Sequence, residues 1–161
     1  MEKSPYSQLN QDLWVVQLLN NKRHGFFIDI GAHDGMNLSN TYMLETLYKW
    51  NGICIEANPD TYTLLEQNRS AKCVRALLSD TANQNIKLHK VGELSFVDNA
   101  NQACTIGDIE SALKAKVDKV AIRSQTLDSI LNSHCIPNNT IDYLSIDIEG
   151  MEMKALSTLD F

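Results

Sequence analysis

The chain has 161 residues, 43% of them hydrophobic, and a net charge of −6. That length and apolar content suit one domain with a packed core. The acidic balance argues against a general nucleic-acid binder, no apolar run nears the roughly 20 residues of a membrane span, and the polar start, Met1 to Asn10, does not read as a secretory signal.

Met1 to Pro5 reads as a disordered lead. Ser7 is a capping residue for a helix to about Asn20, with Leu9, Leu13, Val16 and Leu18 or Leu19 on one face. Gln8, Gln11 and Asp12 then fall in a solvated first turn, where Asp also suits the helix dipole. Phe26 to Ile30 is an apolar run with one carboxylate, Asp29, and reads as a strand buried on both faces. The turn that follows, Gly31-Ala32-His33-Asp34-Gly35, has a glycine at each end. Glycine tolerates positive φ and close approach by a ligand. A strand, a glycine turn and a helix in series are expected to leave free backbone N–H groups at the carboxyl end of a parallel sheet, where open α/β folds bind nucleotides.

Leu38 to Trp50 is expected to be a helix, with Leu44, Leu47 and Tyr48 facing inward and Gly52 stopping it. Ile53 to Ile55 is a second buried strand ending at Glu56. Asn58 caps a third helix, Pro59 takes its first position, and Leu64 and Leu65 carry it to about Asn68. Cys73 to Leu78 is a third strand, closing at Ser79-Asp80. This alternation specifies a parallel, right-handed α/β sheet.

Further on, Ile86 to His89 and Leu94 to Val97 read as an antiparallel hairpin around Gly92. Asn99 to Asp118 is polar and reads as a mobile loop with one helical turn near Ala112, suited to cover an acceptor. Val120 to Ile122 is a strand, Thr126 or Asp128 opens a short helix, and Pro137 to Asn139 is a turn. Ile141 to Ile148 reads as the fourth parallel strand, giving a sheet order of 3-2-1-4. A last helix runs from about Met151 to Leu159. With the sheet ending there, that strand would be an uncovered edge, which suggests a chain truncated at its C-terminus. The expected organisation is a single domain: a helical lead (1–24), a cofactor-binding half (25–80), and a second half (81–161) with the hairpin, the loop and the fourth strand.

The four cysteines, Cys54, Cys73, Cys104 and Cys135, are dispersed and match no zinc spacing with the histidines. Reduced thiols in a cytoplasmic protein are the expectation. Glu56 ends the second strand, where a carboxylate accepts both hydroxyls of a ribose in nucleotide-binding α/β folds. The turn lacks the GxGxxG of dinucleotide sites. Asp34 would face a pyrophosphate and repel it, and Asp29 adds a second negative charge. Two carboxylates suit a cationic ligand such as S-adenosylmethionine, which has a sulfonium, an ammonium and a ribose but no phosphate. Asp147 and Glu149, two residues apart in a strand, would share a face at its carboxyl end. Asp147 is the candidate base, or the group that orients an acceptor hydroxyl. Glu149 and Glu152 would assist, bind a divalent metal with it, or cap the last helix; no metal is the preferred reading. His33 reads as a polar spacer.

Phe26 through Gly35, then Leu38-Ser39-Asn40-Thr41, Gly52 through Pro59, and Asp142 through Gly150 resemble the FkbM-type methyltransferases. The similarity runs from about Tyr6 onward, with Ser7-Gln8 through Gln11-Asp12 matching the family's upstream helix. The resemblance implies a Rossmann-like class I fold with helices on both faces of the sheet. It implies methyl transfer from S-adenosylmethionine, most often to a hydroxyl of a sugar or other small natural product. Carried over by position, Asp29, Gly31, Ala32 and Gly35 line the methionine end together with Asp34. Glu56 holds the ribose, Ala57 and Asn58 flank the adenine, and Ser79 and Asp80 sit near its edge. The expected partner is a small-molecule or saccharide hydroxyl acceptor, with neither nucleic acid nor membrane. The rivals are a non-catalytic binding module of the same fold and an NAD-linked oxidoreductase.

Overall fold

The computed structural model describes residues 6–91, 94–97 and 118–159. In chain order the elements are α1 (Gln11–Leu18), β1 (Phe26–Ile30), α2 (Tyr42–Tyr48), β2 (Asn51–Glu56), α3 (Pro59–Asn68), β3 (Lys72–Arg75), β4 (Leu77–Leu78), β5 (Asn85–Val91), β6 (Leu94–Val97), β7 (Asp118–Gln125), α4 (Leu127–Asn132), a 3₁₀ turn (Pro137–Asn139), β8 (Tyr143–Ile146) and α5 (Glu152–Leu156). They fall into two compact units, Met1–Arg75 with Ile136–Ile146, and Ala76–Cys135 with Asp147–Phe161.

The first unit holds an all-parallel sheet in the order β3-β2-β1-β8, which is the expected 3-2-1-4 arrangement. All of β1 is buried, as its apolar run requires. Val15 and Val16 of α1, Met43 and Leu44 of α2 and Leu65 of α3 pack with Phe27 and Cys54 into one core. Gly52 lies in β2 and not at a helix stop. Any side chain there would run into the ring of Phe27, its register partner, so the glycine permits the two strands to pair with that ring laid across them. The helix ends one turn earlier, where Lys49 adopts the left-handed conformation.

The second unit holds a mixed sheet, β4-β7-β5-β6. β5 and β6 form the expected hairpin and β7 adds antiparallel to β5, while β4 runs parallel to β7. The third strand expected from Cys73 to Leu78 is therefore two strands. β3 pairs with β2, the chain breaks at Ala76, and β4 joins the other sheet. Thr126 caps α4, its hydroxyl accepting from the Ser129 N–H. The expected loop from Asn99 and its helical turn near Ala112 lie outside the described residues; Asp118 already belongs to β7.

Three helices are shorter than expected. α1 starts at Gln11 because Asn10 is left-handed, and Ser7 spends its hydroxyl on Asp12 instead of on a helix N–H. Asp12 is consequently buried, not solvated, while Leu9 and Leu18 are exposed. α2 starts at Tyr42, because Ser39 Oγ accepts from the N–H groups of Thr41 and Tyr42 and holds the preceding residues in turns. Leu47 points outward, and in α3 Leu65 is buried while Leu64 is exposed. α5 covers Glu152–Leu156 only.

Candidate active site

The glycine turn follows β1 directly. Gly31 and Gly35 take φ of 80° and 81°. A Cβ on Gly35 would also come within 2.6 Å of Leu65 and 2.7 Å of Arg69, so its glycine is required twice over. The N–H groups of Gly31 and Ala32 both donate to the Ile55 carbonyl, at 2.9 and 3.1 Å, and that of Gly35 donates to Ala32. The expectation of free backbone donors is thus corrected for these three residues: the turn prolongs the pairing of β1 with β2.

Glu56 sits where that pairing ends and is 8% exposed. Its Oε2 accepts from the His33 N–H at 2.9 Å, and its Oε1 accepts from the Asn58 N–H at 2.7 Å. One carboxylate therefore ties the glycine turn to the start of α3. Asn58 in turn caps that helix by accepting from the Asp60 N–H at 3.0 Å, with Pro59 at the first position as expected.

Asp34 does not face outward to repel a ligand. Its Oδ1 accepts from the N–H groups of Met36 and Asn37, both at 2.9 Å, and its Oδ2 accepts from the Asn37 amide. Burial pushes its pKa up, but these hydrogen bonds outweigh burial and hold it below the ordinary value. Asp29, also buried, accepts from Thr41 Oγ1 and lies 4.0 Å from Arg69 Nη1. Neither carboxylate is a bare negative wall.

Arg69 is not among the residues singled out from the sequence. Its side chain is fully buried and its guanidinium reaches four groups. Nε donates to Glu45 Oε2 at 2.6 Å, Nη1 to the Gly35 carbonyl at 3.1 Å and to Ser39 Oγ at 3.4 Å, and Nη2 to Thr41 Oγ1 at 2.9 Å. Glu45 completes the knot by accepting from the N–H groups of Ser70 and Ala71. The available signal was spacing: Arg69 lies one helical turn beyond Leu65, on the buried side of α3.

In the second unit, Ser79 donates its N–H to Gln125 and its hydroxyl to Asp80. The strand expected to carry Asp147 and Glu149 on one face ends at Ile146. Asp147 follows it as an exposed residue, and Glu149 takes φ of 52°. The shared-face argument for this pair fails. The cause is Glu152, whose Oε1 accepts from the N–H groups of Ile148 and Gly150 and draws the chain into a turn. Burial raises the pKa of Glu152, but these backbone donors outweigh it and bring the value below the ordinary one. Glu152 stands in the first turn of α5, but its bonds to Ile148 and Gly150 close the turn before the helix and do not cap it. Among the described residues no group of His, Cys, Asp and Glu side chains is arranged to hold a metal ion.

A parallel sheet in this order, with a glycine turn after its central strand and a carboxylate closing the next, defines a Rossmann-like fold of the methyltransferase type. The model of the Methyltransferase FkbM domain matches residues 29–161, and the chain belongs to that family. It is a methyltransferase; the upstream helix α1 lies outside the match. No curated protein and no solved structure matches the chain. Among the described residues, no helix is long and apolar enough to cross a membrane.

Proposed function

We propose that the chain transfers a methyl group from S-adenosylmethionine to a hydroxyl of a sugar or other small natural product. The observation that carries this is Glu56. A carboxylate offers about four lone-pair sites. The His33 and Asn58 N–H groups take one on each oxygen. Each oxygen keeps a further site, and the two match the adjacent hydroxyls of a ribose. Backbone donors fix the carboxylate before any ligand arrives, so little ordering remains to be done on binding.

In this assignment residues 25–80 form the cofactor half. Gly31, Ala32 and Gly35 allow close approach of the methionine end, with Asp29 behind them. Ala57 and Asn58 flank the adenine. Asp34 acts by shaping the turn. When bound, the sulfonium donor supplies an activated methyl carbon. The protein aligns an acceptor hydroxyl in line with that carbon and takes up its proton. Asp147, exposed immediately beyond β8, is the proposed base. Free Cys54, Cys73 and Cys135 support a cytoplasmic setting.

The test is transfer of tritiated methyl from the donor to a panel of saccharide and small-molecule alcohols, with Asp147→Asn and Glu56→Ala alongside. The expected result is label in an alkali-stable methyl ether. Asp147→Asn should lower kcat, and Glu56→Ala should raise the KM for the donor. Label appearing only on nitrogen would refute the oxygen acceptor.

A further inference from the structure

We propose that Asn40 recognises the ammonium group at the methionine end of the donor through its side-chain oxygen. This rests on the donor reading above and assigns a residue to a part of the ligand which that reading leaves without a partner.

Asn40 lies between the glycine turn and α2, and its Nδ2 donates to Ser145 Oγ on β8 at 3.0 Å. Its Oδ1 is buried and meets no hydrogen-bond donor among the described residues. Buried acceptors are nearly always paired, so an unpaired one in a binding fold calls for a donor. With Nδ2 on Ser145 Oγ, Oδ1 is the end left over.

The strand order says which part of the ligand arrives there. Glu56 ends β2 and Ser145 lies in β8, on opposite sides of β1. Neighbouring strands are about 4.8 Å apart, so the two positions are separated by roughly 10 Å. With the ribose on Glu56 and the adenine beyond it, the methionine end crosses Gly31 toward β8. Ser145 is the register partner of Asp29. The Asp29 charge is already opposed by Arg69 and that of Asp34 is spent on its own turn. The Asn40 oxygen is thus a buried acceptor open to an N–H donor on that side.

Calorimetric titration with two ligands tests this. S-adenosylhomocysteine carries the ammonium; 5′-methylthioadenosine keeps the adenine, ribose and sulfur without the amino acid. Asn40→Ala should weaken S-adenosylhomocysteine by about tenfold or more, the worth of a hydrogen bond to a charged group, and leave 5′-methylthioadenosine unchanged. Asn40→Asp, which keeps an acceptor and adds a negative charge, should bind S-adenosylhomocysteine at least as tightly as the wild type. Circular dichroism and melting of each variant report the fold. Equal affinity of Asn40→Ala and wild type for S-adenosylhomocysteine overturns the assignment alone. So does parallel loss of both ligands, or an Asn40→Asp as weak as Asn40→Ala. A wild-type chain that binds neither ligand overturns the donor reading and this assignment with it.

Discussion

Arg69→Met removes the guanidinium and keeps most of the apolar volume. In the native state that guanidinium faces two carboxylates, the partly buried Glu45 at 2.6 Å and the buried Asp29 at 4.0 Å, and satisfies the Gly35 carbonyl and the Thr41 hydroxyl. Removing one partner of a buried ion pair costs about 3–5 kcal/mol, because the other charge is stranded away from water. Small domains unfold with about 5–15 kcal/mol in total, so the variant should fold but be marginal. The assay is urea unfolding, followed by the fluorescence of buried Trp50. With a urea slope of about 2 kcal/mol per molar, the midpoint should fall by about 2 M with the slope unchanged. Arg69→Lys should recover little of this, since an ammonium cannot bridge the same groups in one plane. Adding Glu45→Gln to Arg69→Met should recover part of the loss by removing a stranded charge. A loss under about 1 kcal/mol, with no recovery in the double variant, would refute the claim that this knot anchors the glycine turn.

Three further predictions concern Asp34, two cysteines and Gly52. The folded pKa of Asp34 lies below its ordinary value, so its contribution to stability is full above the unfolded pKa and is lost as pH falls through the folded one. Asp34→Asn should therefore flatten the fall in urea midpoint between about pH 5 and pH 2; an unaltered slope would deny the carboxylate its role in the turn. Burial pushes the Cys54 thiol well above the usual range, whereas Cys135 is exposed. A thiol reagent under native conditions should label Cys135 quickly and Cys54 only on unfolding, and mass-mapped native labelling of Cys54 would contradict its packing. Gly52→Ala should destabilise the chain by about 1–3 kcal/mol through overpacking against Phe27, and a melting temperature equal to wild type would show that the ring yields freely.

The fold was largely legible where local chemistry and tertiary packing agree. The apolar stretch of Phe26 to Ile30, interrupted only by Asp29, is best satisfied in the middle of a parallel sheet, and that is where β1 lies. Asn58-Pro59 and Thr126 announce their helices because a cap is a contact between residues two or three apart. The misplaced boundaries have one cause in common, side chains that capture nearby backbone donors. Asp34 and Ser39 hold the residues before α2 in turns, Ser7 serves Asp12, and Glu152 turns the chain after Ile146. Periodicity does not register such captures.

At the candidate site, Glu56 was legible because its position at the end of a strand follows from the alternation alone. The electrostatics were not. Counting Asp29 and Asp34 as a negative wall ignores Arg69, which reaches Asp29 from the end of α3, and the N–H groups that Asp34 draws to itself. A charge in a sequence acquires its meaning from partners that lie far away along the chain.

Calorimetric titration with S-adenosylhomocysteine, repeated with NAD and with Glu56→Ala, tests the central claim most directly. The account predicts single-site binding of S-adenosylhomocysteine, no heat with NAD, and at least tenfold weaker binding in Glu56→Ala, the worth of hydrogen bonds to a charged group. Tight binding of NAD with no response to S-adenosylhomocysteine, or a Glu56→Ala variant that binds as the wild type does, would contradict it.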